Sequence, residues 1–205
     1  MSIVYKNKKE LINKLIEKDD TVLDVGFWGQ GVTQDNPNWV HALLKARAKD
    51  VYGLDIDFDG RKFGNSIYYK KGSAETFDFD VKFDIIFAGD IIEHLSNPGL
   101  FLESCKRNLK DDGRIIITTP NCFNLFNIAE KFSKTEPTVN SDHTMYFNNK
   151  TASQLLSKNS ITVDEYSYLY SLDILYKQSW KKKVLNALYF FVSKLILLNL
   201  FSYEL

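Results

Sequence analysis

Thr21-Val-Leu-Asp-Val-Gly-Phe-Trp-Gly-Gln-Gly31 and, further along, Val51-Tyr-Gly-Leu-Asp-Ile-Asp57 decide the fold of this chain. The first stretch is a short apolar strand that carries an acid and then breaks into glycines. The second is another apolar strand that also delivers carboxylates at its C-terminal end. In a parallel α/β sheet two such ends lie side by side, and nucleoside ligands bind in the crevice above them. Glycines let backbone N–H groups approach a ligand closely, and an acid after the second strand can accept from both ribose hydroxyls. The pair reads as a nucleoside-binding site; the alternative is that the glycines only make a strand-to-helix turn.

Which nucleoside binds depends on the details of the motif. A dinucleotide fingerprint is G-x-G-x-x-G with an acid roughly 20 residues further on. Here the glycines are Gly26, Gly29 and Gly31, Asp55 lies beyond that distance, and Asp24 sits two residues ahead of the first glycine. This arrangement resembles motif I of class I S-adenosylmethionine-dependent methyltransferases, with Trp28 in the place of the usual second glycine. Phe83-Asp-Ile-Ile-Phe-Ala-Gly-Asp-Ile-Ile-Glu-His-Leu-Ser-Asn-Pro98 resembles the segment after strand four in enzymes of the ubiquinone-biosynthesis type. Gly113-Arg-Ile-Ile-Ile-Thr-Thr-Pro-Asn121 resembles their fifth strand and its exit. The resemblance runs from about Leu11 to Tyr170, in order and in spacing.

Composition sets the bounds. A chain of 205 residues is the size of one α/β domain, and residues 1–205 are expected to form a single one. The 26 basic and 26 acidic side chains balance, which argues against a general nucleic-acid partner. Cys105 and Cys122 have neither C-x-x-C spacing nor ligands around them, and the N-terminus lacks the apolar stretch of a secretory signal. The expected compartment is the cytoplasm, with membrane association left open.

Strand and helix patterns alternate, which predicts an α/β fold with a mainly parallel sheet and helices on both faces. Helices are expected over Lys8–Lys18, from a cap at Asn36-Pro37, from a second cap at Asn97-Pro98, and over Asn149–Lys158. A further helix or helical loop is expected over Phe123–Ser133. The expected strands are Thr21–Val25, Val51–Asp55, Ser66–Lys70, Phe83–Ala88, the stretch after the Asp111-Asp-Gly113 turn, and Ile161–Tyr168. The inward face of the helix after Pro98 is read as Leu100, Phe101, Ser104, Cys105 and Leu109. The resemblance implies a seven-stranded Rossmann-like sheet in the order 3-2-1-4-5-7-6 with strand 7 antiparallel; whether the last strand is complete is left open. Residues 179–201 are expected to form an apolar C-terminal helical segment, Val184 to Phe201 being apolar except for Asn186, Ser193, Lys194 and Asn199. It is read as packing on the sheet or in a homodimer contact, with peripheral membrane contact as the alternative, since the breaks argue against a membrane span.

The resemblance also implies roles. The cofactor is S-adenosylmethionine, with Asp24 near its amino group and Gly26, Gly29 and Gly31 lining the same end. Asp55 takes the ribose hydroxyls and Ile56 packs on the adenine. Ser73 and Ala74 stand where relatives meet the adenine amino group, and Asp90 lies at the exit of strand four. His94 and His143 are the candidate bases for an acceptor hydroxyl, imidazole being able to accept a proton near neutrality; a structural role is the alternative for each. Asp57 and Asp59 read as solvated loop acids, and His41 as structural or exposed. No metal site is expected from three histidines so far apart in sequence. The implied acceptor is a small molecule or a glycan or lipid-linked compound, methylated at oxygen, and a surface-glycan enzyme is one option. A methyltransferase-like scaffold without turnover and an NAD-dependent oxidoreductase are the competing readings.

Overall fold

The apolar run Thr21–Val25 becomes the centre of a parallel sheet in the computed structural model, which describes residues 3–28, 36, 38–60, 66–124, 127 and 140–169. In chain order the elements are β1 (Ile3–Tyr5), α1 (Lys8–Leu15), β2 (Thr21–Val25), α2 (Val40–Lys45), β3 (Asp50–Asp55) and β4 (Tyr69–Lys71). There follow β5 (Phe83–Gly89), a 3₁₀ turn (Ile92–His94), α3 (Pro98–Asn108), β6 (Leu109–Thr118), α4 (Asn149–Lys158) and β7 (Ser167–Leu169). Five strands pair in the order β4-β3-β2-β5-β6, all parallel. Called by their expected ranks these are strands 3-2-1-4-5. The sixth and seventh strands do not join this sheet among the described residues; instead β1 and β7 make a separate two-stranded parallel sheet.

A parallel strand covered on both sides reads as a continuous apolar run, because successive side chains go to opposite faces. Leu23, Val25, Leu54, Ile86 and Ala88 pack with Phe101, Leu102 and Cys105 of α3. Val22, Val51, Ile85 and Phe87 pack on the other face with Leu11 and Ile12 of α1 and Leu44 of α2. Val40, Leu43 and Ala48 face this second cluster, as their spacing predicts. In α3 the Asn97 side chain accepts from Leu100 N–H at 3.2 Å and Pro98 opens the helix, the expected cap. The inward face is Phe101, Leu102, Ser104, Cys105 and Asn108, whereas Leu100 is exposed.

Several boundaries differ from the sequence expectation for local reasons. The first helix stops at Leu15, because Ile16 is extended and fully buried and its carbonyl accepts from Arg47 Nε at 2.8 Å. Asn36 does not cap α2; it closes a turn by accepting from the N–H groups of Asn38 and Trp39, and the helix begins at Val40. Ser66 similarly accepts from Tyr68 and Tyr69, so β4 begins only at Tyr69. Asp111-Asp-Gly113 lies within β6 as an irregularity, the register passing from Phe83↔Leu109 to Ile85↔Arg114. Of the expected Ile161–Tyr168 strand only Ser167 and Tyr168 lie in a ladder, which runs on to Leu169, and its partner β1 is not among the expected strands. The helix over Asn149–Lys158 forms as expected, with a capping box between Asn148 and Thr151. Most of Phe123–Ser133, Pro37 and the C-terminal segment 179–201 lie outside the described residues. A cleft of about 540 Å³ flanks the outer side of β6, lined by Ile115, Ile117, Leu156, Ile161 and Phe147 among others.

Candidate functional site

Because β2, β3, β4 and β5 run parallel, their C-terminal ends bring Gly26, Asp55, Ser73 and Asp90 to one edge of the sheet. The chain leaves β2 at Gly26 with φ +79°, its N–H donating to Leu54 O at 2.8 Å. A side chain there would need the left-handed region, and its Cβ would stand 2.1 Å from Ile91 Cδ1. Gly26 is therefore required by the turn itself. Gly29 and Gly31 lie outside the described residues.

Aromatic side chains follow Gly26 in place of more glycine. Phe27 is buried over Gly53, where a Cβ would come within 2.6 Å of its ring, and it stacks on Tyr69 with centroids 5.3 Å apart. His41, Phe58 and Trp28 surround it, and Trp39 Nε1 donates to Phe27 O at 2.8 Å. The sequence shows each ring; that they form one box was not legible in it. Trp28, the residue in the second-glycine position, gives its N–H to Asp55 Oδ2 at 3.0 Å.

Asp55 is 7 % exposed, and its Oδ1 accepts from Asp57 N–H at 2.8 Å. Burial pushes its pKa up, against the two backbone donors. Each carboxylate oxygen has a second lone pair, so the group can accept more. Ile56 beside it is 63 % exposed, an apolar surface open to a flat ligand. Asp57 is exposed, as expected. Ser73 accepts from Glu75 N–H at 3.1 Å, and Ala74 packs on the core, so both serve the turn that leaves β4.

Asp24 is buried inside β2, and its Oδ2 meets His41 Nδ1 at 3.0 Å. Desolvation raises the Asp24 pKa, while His41 works in the opposite direction. Oδ1 of Asp24 has no hydrogen-bond partner among the described residues. His41 is itself fully buried, which selects the structural side of its expected role. Asp90 takes φ +55°, and its carboxylate is held by Lys8 Nζ at 2.5 Å and Thr118 Oγ1 at 3.0 Å. It organises the exit of β5.

The 3₁₀ turn after β5 presents Glu93 and His94. Thr144 N–H donates to Glu93 O at 2.9 Å, and its hydroxyl bridges Glu93 O and Leu95 O, which pins His143 above the turn. The His94 and His143 rings meet edge to face at 4.6 Å. Glu93 is buried beneath them; Oε2 accepts from Thr119 Oγ1 at 3.0 Å, and Oε1 is unpartnered, 4.0 Å from His143 Nε2. Burial lifts the Glu93 pKa to about 7 and lowers that of His143, the second helped by the neighbouring His94. Ligand atoms of Glu93, His94 and His143 lie within 4.8 Å of one another, a donor set that could hold a divalent cation. The histidines far apart in sequence are thus gathered in pairs with acids, and Glu93 was missed. Its position beside His94 in Ile92-Glu-His-Leu95 was the available signal.

Residues 36–117 match the family model described as a methyltransferase domain. That stretch of the chain resembles a methyltransferase domain. Curated relatives include the ubiquinone biosynthesis O-methyltransferase of Glaesserella parasuis, 32 % identical over 136 residues, covering 59 % of this chain and 52 % of that protein. The enzyme of the same name from Nitrosomonas europaea is 28 % identical over 122 residues, covering 55 % and 48 %. The chain thus spans about half the length of the curated relatives it matches. Among solved structures, a SAM-dependent methyltransferase from Archaeoglobus fulgidus aligns with TM-score 0.59 at 18 % identity, covering 96 % of this chain and 89 % of that one. A Burkholderia thailandensis 1,6-didemethyltoxoflavin-N1-methyltransferase aligns with TM-score 0.53 at 17 % identity, covering 77 % and 67 %. These likenesses show a Rossmann-like methyltransferase fold. The expectations of a methyltransferase and of S-adenosylmethionine agree with the domain model and with what these relatives are named for. Among the described residues no helix is long and apolar enough to cross a membrane.

Proposed function

We propose that this chain, as one domain, transfers a methyl group from S-adenosylmethionine to an oxygen of a small-molecule or of a glycan or lipid-linked acceptor. The observation that carries the reading is the pair of acids on adjacent strands. Asp24 faces Gly53 in the β2–β3 ladder, Asp55 closes β3, and Gly26 turns away between them. The residues present fit the cofactor. Asp24 keeps one oxygen without a partner among the described residues for an ammonium, Asp55 has lone pairs for ribose hydroxyls, and Ile56 offers an uncovered apolar surface.

When bound, the cofactor supplies a methyl group already activated by its positive sulfur. What remains for the chain is alignment and proton management. Alignment is worth roughly 7–11 kcal/mol of a two-reactant barrier. Here the turn at Gly26 and the anchored exit at Asp90 provide it. One of His143 and His94, at the mouth of β5, accepts the acceptor's hydroxyl proton; burial lowers the His143 pKa and so favours its neutral form, the one that can take a proton. Oxygen as the receiving atom is carried over from the O-methyltransferases that the chain resembles.

Calorimetry with S-adenosylmethionine, S-adenosylhomocysteine and NAD tests the reading. Binding of the two S-adenosyl ligands without NAD supports it, and preference for NAD overturns it. A non-catalytic scaffold is the second reading, favoured by Trp28 in a glycine position and by the Ser73 hydroxyl already engaged with Glu75. Binding of the homocysteine product with no methyl transfer across phenolic and sugar acceptors would select it.

A further inference from the structure

Directly beneath the proposed cofactor end lies a buried titratable group that the methyl transfer does not use. His41 is 0 % exposed, donates from Nδ1 to Asp24 Oδ2 at 3.0 Å, and faces the Tyr69 hydroxyl with Nε2 at 3.3 Å. Its ring is confined on three sides, by Phe27 at 4.9 Å, Trp39 at 5.1 Å and Tyr69 at 5.5 Å between centroids. Lys45 Nζ donates to the same Tyr69 oxygen at 3.3 Å. The imidazole therefore cannot swing away from the carboxylate without opening the aromatic box.

The arrangement solves a physical problem. A carboxylate as buried as Asp24 prefers its neutral form, and a neutral acid no longer attracts an ammonium. An ionised buried acid needs a fixed donor, and His41 provides one while using only Oδ2. The remaining oxygen, Oδ1, stays without a partner among the described residues. The same ring also sits between the two ends of the loop that follows β2, because Phe27 and Trp39 pack on it and are hydrogen-bonded to each other. In a chain with bulky residues where glycines are usual, this pair fixes the acid from below.

We propose that His41 is a positioning residue for the amino-acid end of the cofactor, holding Asp24 turned so that its second oxygen meets the ligand's ammonium, with Tyr69 holding His41 in turn. The inference rests on the cofactor reading above and names a residue of that same site.

Two ligands separate this role from a merely structural one. S-adenosylhomocysteine carries the ammonium and carboxylate; 5′-methylthioadenosine keeps the adenosine thioether and lacks both. Dissociation constants of the two are measured on the full chain for the wild type, Asp24→Asn, His41→Leu, His41→Asn and Tyr69→Phe. His41→Leu and Asp24→Asn are expected to weaken S-adenosylhomocysteine by about tenfold or more, the size of one hydrogen bond to a charged group, and to leave methylthioadenosine within about twofold. His41→Asn, whose amide can donate near the Nδ1 position, restores most of the lost affinity. Tyr69→Phe gives a smaller loss confined to the homocysteine ligand, and it keeps the test valid if His41→Leu fails to fold. Equal weakening of both ligands, or no change in either, overturns the assignment. A wild type that binds neither ligand overturns the cofactor reading itself, and His41's role with it.

Discussion

Glu93→Gln should flatten the pH dependence of folding stability. Glu93 is 1 % exposed, its Oε1 is unpartnered, and burial lifts its pKa from 4.5 to about 7. The folded protein therefore holds a proton on this carboxyl over a pH range where the unfolded chain has released it. The stability linked to that proton is fully present below about 4.5 and is lost as pH rises through about 7. From 4.5 to about 7 is about 2.5 pH units, and at about 1.4 kcal/mol each the loss is on the order of 3 kcal/mol. The raised pKa values of Asp24 and Asp55 pull in the same direction, and the lowered one of His143 in the opposite direction. All three remain in the variant, so the difference between the two proteins isolates Glu93. Urea denaturation between about pH 5 and pH 8, with a chelator to keep divalent cations off Glu93, His94 and His143, gives the two curves. The wild type should lose stability toward pH 8 while Glu93→Gln holds its own. Parallel curves would refute the reasoning, because they would mean that the buried carboxyl titrates as it does in water.

Asp55→Ala should weaken S-adenosylmethionine by tenfold or more, since contacts to a charged group are worth roughly 1.5–3 kcal/mol; calorimetry on a variant with intact circular dichroism would expose an unchanged constant. The same change removes the acceptor for the Trp28 and Asp57 N–H groups, so its urea midpoint should fall as well. Gly26→Ala combines left-handed strain with a Cβ 2.1 Å from Ile91 Cδ1 and should cost about 2–5 kcal/mol in a denaturation experiment. His143→Ala should cut turnover by about 10²–10⁴ with little change in cofactor affinity, and the wild-type rate should fade only below pH 6.5, where a depressed imidazole gains its proton. Single-turnover rates across pH test this, and a variant as fast as the wild type returns His143 to a structural role.

Much of this protein was readable one residue at a time. Gly26 and Asp55 stand where β2 and β3 stop, with Asp24 one residue inside the end of β2, because an apolar run that meets a glycine or an acid has few other places to stop. The Asn97-Pro98 start of α3 and the whole of Asn149–Lys158 follow from capping chemistry, which acts over a few residues. Boundaries failed where a distant partner intervened. Arg47 takes the carbonyl of Ile16 and ends α1 early, and β7 exists only because β1, at the other end of the described chain, pairs with it.

The parallel order of the first five expected strands was implied by the family resemblance; the sequence by itself determined the alternation of strands and helices and the acids near the strand ends. Those features rest on local periodicity and on turn chemistry, which travel with the chain. Only the tertiary structure decided that His41 would lie under Asp24, that Glu93 would be buried beneath His94 and His143, and that aromatic rings would fill the space beside Gly26. Each joins residues from different elements, and their partnership is set by which side chains the packed sheet forces out of water together. Burial also gives them their chemistry, because the same carboxyl that ionises freely in the unfolded chain holds its proton to about pH 7 once water is removed from around it.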